Sequence, residues 1–236
     1  MVGIFGLCPY YLRMCGRFVI DLPLELIATC FGLQDVPVLP PRYNIAPTQP
    51  VPVIRQGADG QRHLDLLRWG LVPSWAKEAR AGLINARAET VDAKPSFRQA
   101  FRQRRCIIPA SGFYEWQKAG KKKVPYYLRM ADGAPMPFAG IWENWRSPDG
   151  QVLESCAILT TAANAAVAPI HERMPVILHP DAFTPWLEPA LHDAEQLAAL
   201  LAPCPPGHVT AYPVSILVNI PANDSPACIE RARSES

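Results

Sequence analysis

The stretch Met14-Cys15-Gly16-Arg17-Phe18 organises this sequence, because it places a cysteine directly after a methionine and ahead of an apolar run. If translation starts at Met14 and this methionine is trimmed, Cys15 becomes the first residue. Its thiol and free α-amine then lie on adjacent carbons, with reference pKa values of about 8.5 and about 7.7–8.0, so both are usable nucleophiles at pH 7. Such a pair attacks an aldehyde: the amine forms an imine, and the thiol closes a thiazolidine ring. The stretch therefore predicts covalent chemistry on an aldehyde.

The preceding residues 1–13 need an interpretation of their own. They are apolar, but they lack a basic segment and Cys8-Pro9 interrupts the run. We therefore expect neither a signal peptide nor a span of the bilayer. Two interpretations remain: an upstream start codon chosen in place of Met14, which we prefer, or a short leader that is removed to expose Cys15.

Composition limits the classes of protein and partner. The chain has 236 residues, of which 49% are hydrophobic, enough for one large domain or two small ones. A formal net charge of +2 excludes a strong overall attraction to nucleic acid, so a polyanion site must come from local clusters. The seven cysteines form no C-x-x-C pair, which argues against zinc and is typical of reduced, buried thiols in a cytoplasmic protein. We predict no metal and no cofactor.

The pattern of apolar residues predicts one α+β domain dominated by mixed β structure. The 26 prolines and 14 glycines favour short strands and many loops. We predict strands at 15–20, 51–55, 63–69, 83–87, 106–109, 113–117, 126–130, 138–142, 153–160, 176–178 and about 209–213. We predict helices at 22–31, 97–104, 181–187 and 193–201, with an extended proline-rich loop at 37–50. The glycines between 57 and 60 predict a β-hairpin.

Three polar residues interrupt apolar patterns. Asn85 follows Leu83-Ile84, Glu115 lies among aromatic residues, and His171 precedes a strand with a buried pattern. A carboxyl group among aromatic rings is desolvated, which raises its pKa and suits it to proton transfer near neutral pH. A histidine serves as acid or base at physiological pH. Each residue also has a structural interpretation: Asn85 could cap a turn, Glu115 could pair with a nearby lysine, and His171 could be a loop histidine. Their joint presence with Cys15 favours a catalytic site.

Eight segments, in order along the chain, resemble the SOS-response-associated peptidase (SRAP) family. They are Met14-Cys15-Gly16-Arg17, Tyr43-Asn44-Ile45-Ala46-Pro47-Thr48, Arg68-Trp69-Gly70-Leu71-Val72-Pro73, Asn85-Ala86-Arg87-Ala88-Glu89, Cys106-Ile107-Ile108-Pro109-Ala110, Gly112-Phe113-Tyr114-Glu115-Trp116, Thr160-Thr161-Ala162-Ala163-Asn164 and His171-Glu172-Arg173-Met174-Pro175. The resemblance implies a single SRAP-like domain at 14–225, with a mixed, mainly antiparallel sheet folded as a pseudo-barrel, a few short peripheral helices, and a polar tail at 226–236.

The resemblance also implies an activity. Family members capture abasic sites in single-stranded DNA through a thiazolidine on the N-terminal cysteine, protecting them during the DNA damage response. A proposed self-cleavage exposes that cysteine, which implies thiol peptidase and hydrolase character, with lyase character as a further expectation. Family members usually begin at Met-Cys, so the extra residues here bear on whether Cys15 has a free amine.

The resemblance assigns catalytic roles to four residues. Cys15 supplies the nucleophiles, Asn85 holds the amine or the sugar oxygen, Glu115 shuttles protons, and His171 assists opening of the sugar ring. Proximity of amine, thiol and aldehyde supplies most of the rate.

DNA binding requires phosphate contacts and stacking surfaces. Arg17, Arg87 and Arg173 are the candidates for phosphate contacts, and Trp69 for a stacking wedge, with a core aromatic as its alternative. Asn44, Pro47 and Thr160 complete the predicted DNA-binding set. A basic run at 98–105 either extends the phosphate track or is a solvated helix face, and the lysines at 121–123 are interpreted as solvated.

Two other classes of function stay open. A cysteine or N-terminal-nucleophile peptidase, with Cys15 as nucleophile and His171 as base, would turn over an added peptide. A non-covalent DNA-binding module would show salt-sensitive binding without a bond to Cys15. The expected partner is single-stranded DNA with abasic sites, bound by a monomer that contacts no membrane or metal. The expected location is the cytoplasm, at the nucleoid when bound to DNA.

Overall fold

A computed structural model describes residues 15–80 and 82–232, which contain twelve strands and four short α-helices. The strands are β1 (Phe18–Ile20), β2 (Arg42–Ile45), β3 (Pro50–Gln56), β4 (Arg62–Trp69), β5 (Asn85–Arg87), β6 (Arg105–Ala110), β7 (Gly112–Ala119), β8 (Lys122–Met130), β9 (Met136–Arg146), β10 (Val152–Ala162), β11 (Arg173–Pro175) and β12 (Val209–Pro213). The helices are α1 (Leu24–Phe31), α2 (Arg98–Gln103), α3 (Phe183–Leu187) and α4 (Ala194–Ala199). No helix in these described ranges has the length and apolar character needed to cross a membrane.

Five strands close into a barrel. β10 pairs with β4 in parallel, and antiparallel pairs then run from β4 to β3, β6 and β9 and back to β10. Closure leaves these strands without a free edge. The predicted α+β class and pseudo-barrel are therefore confirmed.

β10 extends beyond the barrel and brings two distant segments together. Its residue Thr160 pairs with Arg87 of β5 and with Pro175 of β11. The segment that carries Asn85 and the segment that follows His171 are consequently neighbours, although Asn85 and His171 lie 86 positions apart in the sequence.

A second sheet, in the order β12-β8-β7-β1-β2, packs on the barrel. Aromatic rings form the contact: Phe18 meets Trp69 at 5.1 Å and Phe138 at 6.1 Å between ring centroids, and Phe113 meets Phe138 at 6.1 Å. Each edge-on pair adds about 0.5–1.5 kcal/mol beyond the area it buries. These rings belong to one hydrophobic cluster that includes residues of both layers.

The predicted hairpin at 51–69 is confirmed as β3–β4, with register from Pro50↔Arg68 to Gln56↔Arg62. Its turn ends at Gly60, whose φ of 77° is a conformation that glycine adopts without strain.

Three sequence-based expectations differ from the structure. The strand predicted at 176–178 lies at Arg173–Pro175, and Ile177 makes only an isolated bridge with Phe138. Residues 42–45, predicted as loop, form β2, because their backbone pairs with β1 and the amides of Tyr43 and Asn44 both donate to the Asp224 carboxylate. Residues 226–232, predicted as tail, pack on the domain: Cys228 is fully buried and the Tyr212 hydroxyl donates to the Ile229 carbonyl at 2.9 Å. The predicted leader, residues 1–13, lies outside the described residues.

Candidate active site

The pairing of β1 with β7 brings Cys15 and Glu115 to one place. Phe18 pairs with Phe113, and the Tyr114 amide donates to the Arg17 carbonyl at 3.0 Å. Continuing this antiparallel register carries the chain before Arg17 past Glu115. The reactive candidate and the carboxyl group are thus neighbours through sheet geometry.

Cys15 is a free, buried cysteine with 2% of its surface exposed. Its carbonyl accepts a hydrogen bond from Asn85 Nδ2 at 3.3 Å. Burial raises the pKa of the Cys15 thiol well above its ordinary value, the nearby Glu115 carboxyl raises it further, and the Arg173 guanidinium acts in the opposite direction. The thiol therefore stays protonated at neutral pH, and its attack on a carbon atom requires a proton acceptor.

Glu115 lies next to that thiol and is 4% exposed. Burial raises its pKa, while His171 and hydrogen bonding with the Cys15 side chain and backbone partly offset the rise. Its Oε1 atom is buried and accepts no hydrogen bond from the described residues. A carboxyl group with a raised pKa and an open oxygen is suited to donate and recover a proton.

His171 completes the group on the other side of Glu115. Its Nδ1 lies 4.0 Å from Glu115 Oε1 and accepts a hydrogen bond from the Arg173 amide at 3.1 Å. The Arg173 carbonyl oxygen lies 3.2 Å from the same nitrogen. In the tautomer in which Nδ1 accepts from the amide, the neutral ring carries its proton on Nε2. His171 can thus present an N–H group to a bound molecule.

Arg173, predicted to hold a phosphate, is engaged within the protein. Its guanidinium donates to both oxygens of Glu89, at 2.6 and 2.8 Å, and to the Thr160 carbonyl at 2.6 Å. This ion pair lowers the pKa of Glu89. The side chain of Arg173 is 11% exposed. A phosphate would have to displace Glu89, and Thr160, itself fully buried, supports the arginine from the core.

Arg17 and Asn44, also predicted to contact DNA, both form hydrogen bonds with a loop of the domain. Arg17 Nη1 donates to Asn44 Oδ1 and to the Val218 carbonyl, both at 2.8 Å. Asn44 Nδ2 donates to the carbonyls of Val218, Ile220 and Asn223 at 2.8–3.1 Å, and the residue is fully buried. Their polar groups are committed to positioning residues 218–223 beside the site.

Arg87 differs from the other two predicted phosphate contacts. It is exposed at the end of β5, two residues from Asn85, and its side chain makes no hydrogen bond with the described part of the chain. Pro47, another residue of the predicted DNA-binding set, is half-buried. It precedes Thr48, whose φ of 73° is strained for a β-branched residue. Arg87 is thus the predicted phosphate contact whose guanidinium is accessible.

The stacking wedge predicted at Trp69 does not match its position. Trp69 is fully buried, and its Nε1 donates to the Ile84 carbonyl at 2.9 Å, so its ring has no free face and the core interpretation fits. Trp75, in the loop that follows, is 66% exposed. Trp75 was not among the predicted DNA contacts, although its place in a Pro-Ser loop without an apolar pattern was a usable signal.

Comparisons with known proteins agree on one family. The profile described as "SOS response associated peptidase (SRAP)" matches residues 14–221. The chain is 42% identical over 225 residues to abasic site processing protein YoqW of Bacillus subtilis, covering 92% of this chain and 99% of that protein. It is 32% identical to YedK of Escherichia coli, with the same coverage, and 30% identical to HMCES of Mus musculus, covering 93% of this chain and 76% of that protein. Both carry the same descriptive name.

The fold has solved counterparts. A crystal structure of a protein from Bacteroides thetaiotaomicron superposes with a TM-score of 0.82 at 28% identity, covering 93% of this chain and all of the other. A protein from Bordetella bronchiseptica superposes with a TM-score of 0.73 over 85% of this chain. The barrel and its attached sheet are therefore shared.

Proposed function

This chain belongs to the SOS response associated peptidase family, and on that premise we propose that it binds single-stranded DNA and captures abasic sites through Cys15. The convergence of Cys15, Asn85, Glu115 and His171 at one place, with the first and third buried and the other two half-buried, carries the proposal. These residues come from four separate segments, and together they supply a thiol, an amide, a proton shuttle and an N–H donor.

The proposed reaction begins with ring opening. An abasic deoxyribose is mostly a closed ring, so its aldehyde must be released before an amine can attack. The Nε2–H group of His171 is suited to donate a proton to the ring oxygen as the bond from this oxygen to C1′ breaks. The C1′ hydroxyl loses its proton to water as the aldehyde forms, and this proton restores the histidine. Asn85, which already binds the Cys15 carbonyl at 3.3 Å, is suited to hold the amine in line with the aldehyde carbon.

Capture then proceeds in two balanced steps. The Cys15 amine adds to the aldehyde, and Glu115 in its acid form protonates the departing hydroxyl, so that one water leaves and a protonated imine remains. The resulting Glu115 carboxylate accepts the thiol proton as sulfur attacks the imine carbon, and the ring nitrogen keeps the proton it already carries. Because burial keeps the thiol protonated, the second step depends on this neighbouring base.

The chemistry requires a free α-amine on Cys15. When Met14 is still attached, that nitrogen is an amide and cannot form an imine. The proposed function therefore includes removal of the preceding residues, and the thiol beside Glu115 is the group suited to cleave the Met14–Cys15 bond itself. A peptidase acting on other proteins is less well supported, because such enzymes lower the pKa of the thiol, whereas burial raises it here.

The contacts proposed for DNA follow from exposure. Arg87 is the accessible phosphate ligand, and Trp75 offers an aromatic face for an unstacked base. Arg17, Asn44 and Arg173 support the site from within the protein.

The test is a denaturing gel with single-stranded DNA that carries one abasic site. A chain that begins at Cys15 should give a heat-stable shifted band without added reductant. Cys15→Ala should give none, while Cys30→Ala, a matched change at an exposed cysteine, should leave the band unchanged. A chain shown by mass to retain residues 1–14 should bind DNA without the band. An equal band from Cys15→Ala would refute the proposal.

A further inference from the structure

Lysine is concentrated in one hairpin. The chain contains six lysines, and four of them are Lys118, Lys121, Lys122 and Lys123. These four are exposed where β7 turns into β8. We refer to residues 118–123 as the lysine tip.

The lysine tip is not neutralised within the protein. Lys118 lies directly opposite Lys123 in the antiparallel register, an arrangement of like charges that destabilises a hairpin. None of the ion pairs formed by residues 15–80 and 82–232 involves these lysines. The tip therefore carries uncompensated charge, which an external anion would relieve.

The hairpin is attached firmly to the candidate site. Its strand β7 contains Glu115, and Gln117 Nε2 donates to the Pro169 carbonyl at 3.0 Å, in the loop that leads to His171. Trp116 Nε1 donates to Asn219 Oδ1 at 2.7 Å. A strand rises about 3.3 Å per residue, so Lys118 lies about 10 Å along the strand from Glu115. The lysines thus have a fixed separation from the reactive residues.

We propose that the lysine tip binds phosphates of the DNA strand that flanks the captured abasic site. This inference rests on the proposed function and extends its DNA footprint. Even at the closest spacing, about 3.4 Å per nucleotide along the axis of a stacked strand, a separation of about 10 Å reaches phosphates no more than about three nucleotides from the abasic site. A lysine contacts a phosphate as a point charge and does not read the base, so the tip adds affinity that is independent of DNA sequence. This gain occurs only when the DNA is long enough to reach the tip.

The experiment compares the unchanged protein with a variant in which all four lysines become glutamine. Both proteins carry Cys15→Ala so that no adduct forms, and equilibrium binding to abasic single-stranded DNA is measured against salt with two oligonucleotides, reaching about one or about ten nucleotides to each side of the site. For the long DNA, the log–log salt slope should fall by about 0.7 for each lysine–phosphate pair that the substitutions remove. For the short DNA, affinity and slope should stay unchanged.

A matched control removes four exposed charges elsewhere, at Lys94, Arg129, Arg146 and Arg231, all outside the basic run at 98–105. It should leave both slopes close to those of the unchanged protein. An unchanged slope of the lysine variant on long DNA, or an equal fall with the control, would overturn the inference. Thermal unfolding verifies folding, and we expect no loss of stability because an opposed pair of like charges is removed. Adduct formation by the unchanged protein tests the proposed function separately.

Discussion

Glu115→Gln separates catalysis from structure at this site. Glutamine matches the size of glutamate but cannot transfer a proton. Because Glu115 is 4% exposed, bulk water has little access to replace it, and a positioned acid–base group contributes about 10²–10⁴-fold. We expect the single-turnover rate of adduct formation to fall by that factor. DNA affinity should be unchanged, since the buried side chain offers little surface to DNA.

Whereas the rate of adduct formation should fall in Glu115→Gln, the free energy of unfolding of this variant should rise. Burial raises the pKa of Glu115 in the folded protein, whereas the unfolded chain loses this proton near pH 4.3. The protonated carboxyl group of Glu115 therefore contributes to folding stability fully below about pH 4.3, and this contribution is lost as the pH rises through the pKa of Glu115 in the folded protein. Glutamine does not titrate, so its free energy of unfolding should exceed that of the unchanged protein by an amount that grows across this window.

The assay is single-turnover crosslinking at saturating abasic DNA, combined with urea unfolding at several pH values. Glu172→Gln, an exposed glutamate next to His171, is the control and should alter neither quantity. A normal rate for Glu115→Gln at saturation would refute the assigned role. A slow rate accompanied by reduced stability would indicate a structural role for the carboxyl group instead.

Three further predictions concern binding and positioning. Arg87→Ala should lower the log–log salt slope for single-stranded DNA by about 0.7, with the crosslinking rate recovering at saturating DNA; a rate that stays low would place Arg87 in the chemistry. Trp75→Ala should weaken DNA binding by about 1–3 kcal/mol, the range for one stacked base, without lowering the unfolding temperature. Trp69→Ala should instead lower the free energy of unfolding by about 3–5 kcal/mol, measured by urea unfolding. Asn44→Ala removes three donated hydrogen bonds and should cost about 2–4 kcal/mol of folding stability in the same assay, a loss that a surface contact would not show.

Local pattern predicted much of the fold. The alternation on both sides of the glycines at 57–60 predicted the hairpin, because a half-buried strand repeats every two residues. The strand at 42–45 was missed because its pairing depends on Phe18 and Asp224, far away in sequence. Prolines around it also favoured a loop.

The candidate site was predictable in type and less so in detail. Glu115 and His171 stood out as polar residues in apolar surroundings, and the resemblance linked them to Cys15. The partners of Arg173 were hidden, since Glu89 lies 84 residues away and meets it only through β10. Likewise, whether Trp69 faces the core or solvent follows from barrel closure, which short-range periodicity does not encode.

The most direct test is the mass of the Cys15 peptide from the DNA adduct, formed without reductant by a chain that begins at this residue. A thiazolidine predicts that this peptide carries the sugar, with the loss of one water from the combined masses, and that borohydride treatment leaves the adduct unchanged. An adduct on another residue, or one that survives only after borohydride reduction, would contradict the account, because an imine lacks the second bond that the thiol provides.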